Sequence, residues 1–280
     1  MIAFRCGNGG NGQVNNNTAS YTAQVGDELI KTNAAFMFDN GTPPQEDIII
    51  GNNIINCAYM FRNCSTFNQN VLIGRNVTDC SGMFLSCGQF NTSITIPSNV
   101  ASTAYMFHNC SNFCSDVDIK GSMNCARMFE YCSNFDANVK INDEVIDCNG
   151  MFNACFRLNK IVNIPSKAEN IIEMFRNCRE YHASNIVIPK NVKSCQYVFI
   201  NCSNIEGNIY INNANITSVA AMLQGKNVSK RINVFCNNIR AINASNSYSI
   251  VGSSIVWTAT SNGYYNQSYN IYLYNNYIGT

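Results

Sequence analysis

The sequence predicts a repeat solenoid of about eight or nine stacked units, each unit of about 23 residues supplying one short strand and one short helical segment. Three observations lead there. The pair Met-Phe recurs as Met37-Phe38, Met60-Phe61, Met83-Phe84, Met106-Phe107, Met128-Phe129, Met151-Phe152 and Met174-Phe175, continued in weaker form by Val198-Phe199 and Met222-Leu223. Successive steps are 23, 23, 23, 22, 23, 23, 24 and 24 residues. Around each pair, apolar residues fall at i, i+3, i+4 and i+7, one face of a helical turn; further on in the unit they alternate with period two, the mark of a half-buried strand.

Residues 1–33 precede the repeat and read as an N-terminal cap. The solenoid spans residues 34–226, and its first unit already fits through Met37, Ile48, Ile50, Ile54 and Cys57. The helical columns are Cys57, Met60, Phe61, Cys64; Cys80, Met83, Phe84, Cys87; and Cys125, Met128, Phe129, Cys132, with Cys148, Met151, Phe152, Cys155 after them. Seven residues beyond each Met stands another apolar residue: Phe67, Phe90, Phe113, Phe135, Leu158, Tyr181, Ile205. Strands follow at Val71/Ile73, Ile94/Ile96, Val117/Ile119, Val139/Ile141, Ile186/Ile188 and Ile209/Ile211. Pro97, Pro165 and Pro189 close strands, where a ladder donor is lost cheaply. The column Ile54, Val77, Val100, Val145, Val192 leads back to the next helical segment. A single unit is too small to bury its own apolar face, so stacking supplies the core. At about 4.8 Å per strand the body would be roughly 40 Å long.

Composition narrows the function classes. The 280 residues carry 18 Lys+Arg against 17 Asp+Glu, and charged residues amount to 12%, about half the usual share. A near-neutral chain lacks the basic stripe of a nucleic-acid binder and the polybasic patch of a membrane-surface protein. No run approaches the roughly 18 apolar residues of a membrane span, and the N-terminus has no apolar stretch of signal-peptide form. These features predict a soluble protein made in the cytosol, with neither nucleic acid nor membrane insertion among its partners. Asparagine, at 47 residues, takes over from the missing charges.

Read as a consensus, the unit is I-x-I-P-x-N-V-x-x-C-x-x-M-F-x-N-C-S-x-F-N. It resembles the BspA-type leucine-rich repeats, in the mycoplasma-lipoprotein-like variety built around N-V-T-x-M-x-x-M-F. Asn76-Val77-Thr78-Asp79-Cys80-Ser81-Gly82-Met83-Phe84 is the nearest segment, with Asn99-Val100 to Met106-Phe107 and Asn191-Val192 to Val198-Phe199 looser. The resemblance covers about residues 34 to 225. It implies a leucine-rich-repeat-like, non-enzymatic solenoid used for adhesion or recognition, in a family spanning bacterial surface proteins, protist proteins and phage-encoded proteins. The chain departs from it in placing Cys in two columns and in lacking the surface members' secretion signal.

Thirteen of the 15 cysteines lie between Cys57 and Cys202, and all of these but Cys114 occupy the two helical columns. Zinc sites use short Cys-x(2–4)-Cys pairs, whereas C-x6-C repeats here. Buried Cys behaves as a small hydrophobe, so columns of reduced thiols are favoured over a disulfide framework or a metal site. Cys110 and Cys114 have ligand-like spacing with no second pair. His108 and His182 fall in slots that read as exposed, and Asp143, Glu144 and Asp147 read as solvated turn charges. No metal, cofactor or catalytic set is expected. Asn-Cys-Ser at 63–65, 109–111 and 201–203 has the form of a glycosylation sequon, but reads better as a turn signature whose side chains bond along the stack.

Residues 227–280 turn β-rich and Tyr-rich. Strands are expected at 250–258 and 269–274 around an Asn-Gly turn, Ser261-Asn262-Gly263. Trp257, Tyr264, Tyr265, Tyr269, Tyr272, Tyr274 and Tyr277 are the candidate binding residues, since such side chains are enriched at interfaces. A cap over the last repeat and a docking surface are compatible roles. The favoured function is a virion component of a phage (tail, baseplate or head fibre), assembled in the host cytoplasm. It would bind other virion proteins or a host surface protein or glycan, and a symmetric homo-oligomer is compatible with that role. A bacterial or protist cell-surface adhesin is the alternative; an enzyme would need a converging acid–base–nucleophile set that the sequence does not display.

Overall fold

The computed structural model describes residues 33–211, residues 213, 215–217 and 222–223, and five further strands. Strands β1 to β11 are Ile2–Phe4, Ile48–Ile50, Val71–Leu72, Val117–Ile119, Val139–Ile141, Ile186–Ile188, Gly207–Ile211, Ile232–Cys236, Tyr248–Val251, Ser254–Thr258 and Ser268–Leu273. Parallel bridges join Asn33, Asn56, Asp79, Ser102, Asn124, Asp147, Asn170 and Ser194 in a single column. The steps along it are 23, 23, 23, 22, 23, 23 and 24, identical to those of the Met-Phe pairs. Each coil of chain therefore lies on the one before it, and we call each coil a rung.

The bridge column also starts each rung's turns. Asn33, Asn56, Asp79, Asn124 and Asp147 each accept, through the side-chain oxygen, the backbone N–H two residues on, at 2.8–3.0 Å. This local bond competes with helix and favours a turn.

The expected helical segments are not helices; no helix occurs among the described residues. In the rung of Cys57, the N–H groups of Met60, Arg62 and Cys64 donate to carbonyls three residues back, while those of Cys57, Tyr59, Phe61 and Asn63 donate to Asp79, Ser81, Met83 and Leu85 of the next rung. Half the donors thus leave the rung, where an α-helix would keep them. Backbone at Tyr59 and Asn63 is left-handed (φ 55° and 60°), producing two flat turns that still put residues 57, 60, 61 and 64 on one side. The reason is dimensional. A helix is about 10 Å wide, twice the roughly 4.8 Å strand spacing, whereas the Phe rings on the turn side repeat every 5.3–5.7 Å. Flat turns keep the rungs parallel.

Two aromatic columns run through the core. Phe38, Phe61, Phe84, Phe107, Phe129, Phe152, Phe175 and Phe199 stack in one. Phe67, Phe90, Phe113 and Phe135 stack in the other, and the two meet at 4.1–4.7 Å within a rung. All twelve are buried, each contributing about 1.5–3 kcal/mol of apolar burial.

On the strand side, sheet pairing is intermittent. β1, β2 and β3 form one parallel sheet and β4 and β5 another; β6, β7, β8, β11, β10 and β9 form a third in that order. Ile94 and Ile96 are buried on either side of an exposed Thr95, yet 94–96 makes no ladder, contrary to expectation. Pro97 removes one donor there, but Pro189 follows the paired strand β6, so proline alone does not decide pairing. The run expected as one strand at 250–258 is two, β9 and β10, paired antiparallel with Val251 opposite Ser254. β11 pairs antiparallel with β10 and parallel with β8, so the C-terminal strands extend the rung sheet edgewise. The Ser261-Asn262-Gly263 turn and most of the cap expected over residues 1–33 lie outside the described residues. Among the described residues, no helix is long and apolar enough to cross a membrane.

Candidate functional site

The thiol columns come first, because they decide whether cysteine is chemistry or structure. Cys57, Cys64, Cys80, Cys87, Cys125 and Cys132 are buried in the core beside Met60, Phe61, Met83, Phe84, Met128 and Phe129. Cys64, Cys87, Cys110, Cys132, Cys155, Cys178 and Cys202 each point Sγ at the carbonyl of a Phe one rung back, at 2.9–3.1 Å. That bond requires the protonated thiol as donor. Burial raises the thiol pKa throughout this column, with Cys64 pushed up to about 11 and the inner members further. A thiol held protonated is neither a nucleophile nor a metal ligand. Cys114 is exposed, and among the described residues no group of three or more His, Cys, Asp or Glu could hold a metal.

The outward residues of the turns make a continuous polar and aromatic face. Two of its columns are left-handed in every rung: Phe36, Tyr59, Gly82, Tyr105, Arg127, Gly150, Glu173, Tyr197, and then Asn40, Asn63, Ser86, Asn109, Tyr131, Ala154, Asn177, Asn201. The second suits asparagine, which tolerates this conformation, and its amides bond along the stack. Asn63 donates to Asn40 at 2.9 Å and Asn201 to Asn177 at 2.7 Å. The first column carries large side chains that lean onto the next rung. Phe36 stacks on Tyr59 with ring centroids 5.1 Å apart, and a Cβ on Gly82 would sit 2.3 Å from the Tyr59 ring.

Between these columns lie the charges, and they are paired. Arg62 donates through Nε to Asp39 at 2.8 Å. Glu130 is 2% exposed and accepts from Arg127 Nη1 at 2.7 and 2.8 Å and from Asn153 Nδ2 at 2.8 Å, with His108 Nδ1 3.2 Å away. Burial pushes the Glu130 carboxyl upward, but the bonds from Arg127 and Asn153 and the close approach of His108 outweigh it and leave its pKa lowered. Arg176 pairs with Glu173, which also lies 3.8 Å from Arg127. His108, expected exposed, is only 22% exposed and packs between Tyr105 and Tyr131; the ion cluster draws it inward. His182 is exposed, its Nδ1 2.8 Å from Asn159 Oδ1. With its oxygens committed to these partners, Glu130 anchors the face and is not poised for proton transfer.

The opposite, strand face offers less. A shallow depression of about 410 Å³ lies over β4 and β5, lined by Thr95, Asp116, Asp118, Asn138, Lys140 and Ile161 among others. Asp116 is already engaged by the backbone and side-chain amides of Asn138, which hold its pKa low. The outward strand residues are apolar toward both ends, with Leu72 and Val187 exposed and Tyr210 stacked on Phe235 at 5.0 Å, and charged in the middle at Asp118 and Lys140.

Of the C-terminal candidates, Trp257 lies in β10 opposite Tyr269 of β11 and Tyr248 of β9, and Tyr272 lies opposite Ser254 and Phe235. Tyr264, Tyr265, Tyr274 and Tyr277 lie outside the described residues. Sequence reasoning passed over the turn face, although Asp39 and Arg62, 23 residues apart in one slot, and Arg127 and Glu130, three apart, were signals for it.

No curated protein and no solved structure matches the chain. A family model described as "Mycoplasma protein of unknown function, DUF285" matches residues 32–141 and 117–213, the span of the stacked rungs. On that match the chain belongs to the DUF285 family.

Proposed function

We propose that the chain is a repeat solenoid of the BspA-type leucine-rich-repeat class, encoded by a phage. In this reading it is a non-enzymatic structural and recognition component of the virion, in the tail, baseplate or head fibre. It engages a host surface protein or glycan, or another virion protein. The observation that carries this reading is the turn face, a surface repeated rung after rung whose charged groups are consumed in mutual pairs. Such a surface favours many weak contacts that sum by avidity over reaction at one point. The thiol column adds support, because its bonds need reduced cysteine and suit a protein that folds and assembles in a reducing cytosol. The motif Asn76-Val77-Thr78 through Met83-Phe84 supports the repeat class.

Mass spectrometry of native source material, separated into particles, envelope and cytosol, tests the assignment. Enrichment in purified particles with copurifying structural proteins is the expected result and names the docking partner. Enrichment in the envelope replaces it with the cell-surface adhesin.

A further inference from the structure

The charges are segregated along the chain. Residues 1–147 carry 7 Lys+Arg against 13 Asp+Glu, a net of −6, and residues 148–280 carry 11 against 4, a net of +7. The turn face cancels its share in pairs within the chain, Asp39 with Arg62, Glu130 with Arg127 and Glu173 with Arg176. The edge that leads from the turns into the strands does not. It presents Asp116 and Asp136 and then Arg157, Lys160 and Arg179, all exposed but the half-buried Asp136. None of these five is in an ion pair among the described residues. The Asp116 carboxyl is held below its usual range by the bonds from Asn138 and, more weakly, by the charge of Lys160. Glu180 and Glu206, at the far end of the edge, run against the order.

The sign changes at one odd residue. The slot just before each strand is polar in seven rungs, through Asp47, Asn70, Ser93, Asp116, Asn138, Asn185 and Asn208. Its side chains bond along the stack, Asn70 Nδ2 to Asp47 at 3.0 Å, Asn138 Nδ2 to Asp116 at 3.2 Å and Asn208 Nδ2 to Asn185 at 3.2 Å. In the remaining rung the slot holds Ile161, which breaks that ladder. It is 78% exposed, the most exposed large apolar side chain among the described residues. Packing between rungs does not call for it, since asparagine there would continue the ladder. It borders the depression over β4 and β5, whose lining includes Ile94, Val117 and Val139.

An acidic run, an apolar centre and a basic run, in that order along one edge, are self-complementary under a two-fold axis across the stack. A second copy turned end for end sets its basic run against the first copy's acidic run, and the reverse. An apolar centre within a charged rim is also the anatomy of a protein interface. With the axis between the rung of β5 and the rung of Ile161, Asp136 faces the second copy's Arg157, and Asp116 faces the second copy's Arg179.

We infer that this edge is the interface of an antiparallel two-fold dimer, in which Ile161 of each copy seats in the depression over β4 and β5 of the other, with the acidic and basic runs paired around it. The occupant is a second copy because one chain carries both halves of the pattern. The charges set orientation more than affinity. A head-to-tail contact would leave the edge uncovered and would grow without closing.

Sedimentation velocity of the full chain over about a hundredfold range of concentration, at low and high salt, tests this. The 31.1 kDa chain is expected to exchange with a species of twice that mass and with none larger. Its dissociation constant should rise at least tenfold from ~20 mM to ~500 mM salt. Ile161→Asn is expected to weaken the dimer at least tenfold, while the thermal midpoint of the monomer holds or rises as the amide ladder is completed. Arg157→Glu/Arg179→Glu should weaken it at least as much at low salt and reverse the sign of the salt dependence, because like charges then face each other. Ile55→Asn, which removes an exposed apolar side chain beyond the other end of the strands, should change it less than twofold. A wild type that stays monomeric at the highest concentration and lowest salt would overturn the inference, as would a series of ever larger oligomers. So would a dimer that either the Ile161 or the arginine variant leaves unchanged. A monomer that binds dextran sulfate, and loses it in the arginine variant, would overturn it in favour of a polyanion on the basic run.

Discussion

Glu130 shows how one residue converts burial into stability. Its carboxylate is taken out of water and repaid by Arg127, Asn153 and His108. Because its folded pKa lies below the unfolded value, the stabilisation is present above the ordinary glutamate range, about 4.3. It is lost as pH falls through the folded value. Glu130→Gln keeps the shape and removes the charge. We expect it to cost about 2 kcal/mol at pH 7, less than the ~3–5 of a fully buried broken pair because Arg127 keeps a third of its side chain in water. Urea midpoints of the two proteins should converge as pH falls below the ordinary glutamate range; a gap that stays constant with pH would show that the charge is not what Glu130 contributes. Neither Glu130 nor His108 was legible as a site residue in the sequence. Both occupy the outward slot two after Met, and only the stacking of neighbouring rungs turns that slot inward.

At the scale of the rung, the period and the buried columns were readable, and the conformation between them was not. Residues 57, 60, 61 and 64 share a side in a helix and equally in two consecutive left-handed turns, so spacing alone does not separate the two. Asparagine at 40, 63, 109, 177 and 201 held the missing signal, since it tolerates positive φ; the bulky residues in the companion column hid it. The strands at 94–96 and 250–258 were overextended for a similar reason: apolar alternation records burial, while ladder pairing depends on the neighbour. Interlocking of rungs makes a sharp prediction at Gly82. Alanine there meets both a left-handed φ of 57° and the Tyr59 ring. Gly82→Ala should cost about 2–3 kcal/mol alone and about 1 in a Tyr59→Ala background, where only the backbone strain remains. Chemical denaturation of the four members of the cycle measures it, and additive costs would mean that the ring moves aside freely.

Across the whole stack, each rung touches only its neighbours, which makes stability a sum of local terms along one axis. The thiol column is a built-in reporter of that sum. Cys64, Cys87, Cys110, Cys132, Cys155, Cys178 and Cys202 repeat the same environment at successive heights, buried and bonded to a Phe carbonyl. Alkylation needs the thiolate, which burial suppresses, so each labels only when its own rung opens. Exposed Cys114 labels from the native state and serves as the internal standard. If opening begins at the ends and propagates, Cys64 and Cys202 label faster than Cys132 and Cys155, by an order of magnitude for every ~1.4 kcal/mol of added opening cost. Iodoacetamide labelling of native protein, quenched over time and mapped by peptide mass spectrometry, reads the gradient directly. One rate shared by all seven would mean that the rungs open as a single cooperative unit. Phe107→Ala, a cavity at mid-stack expected to cost about 3–5 kcal/mol, separates the two cases further. It should accelerate Cys110 and Cys132 selectively if opening is local, and accelerate all seven alike if the stack unfolds as one.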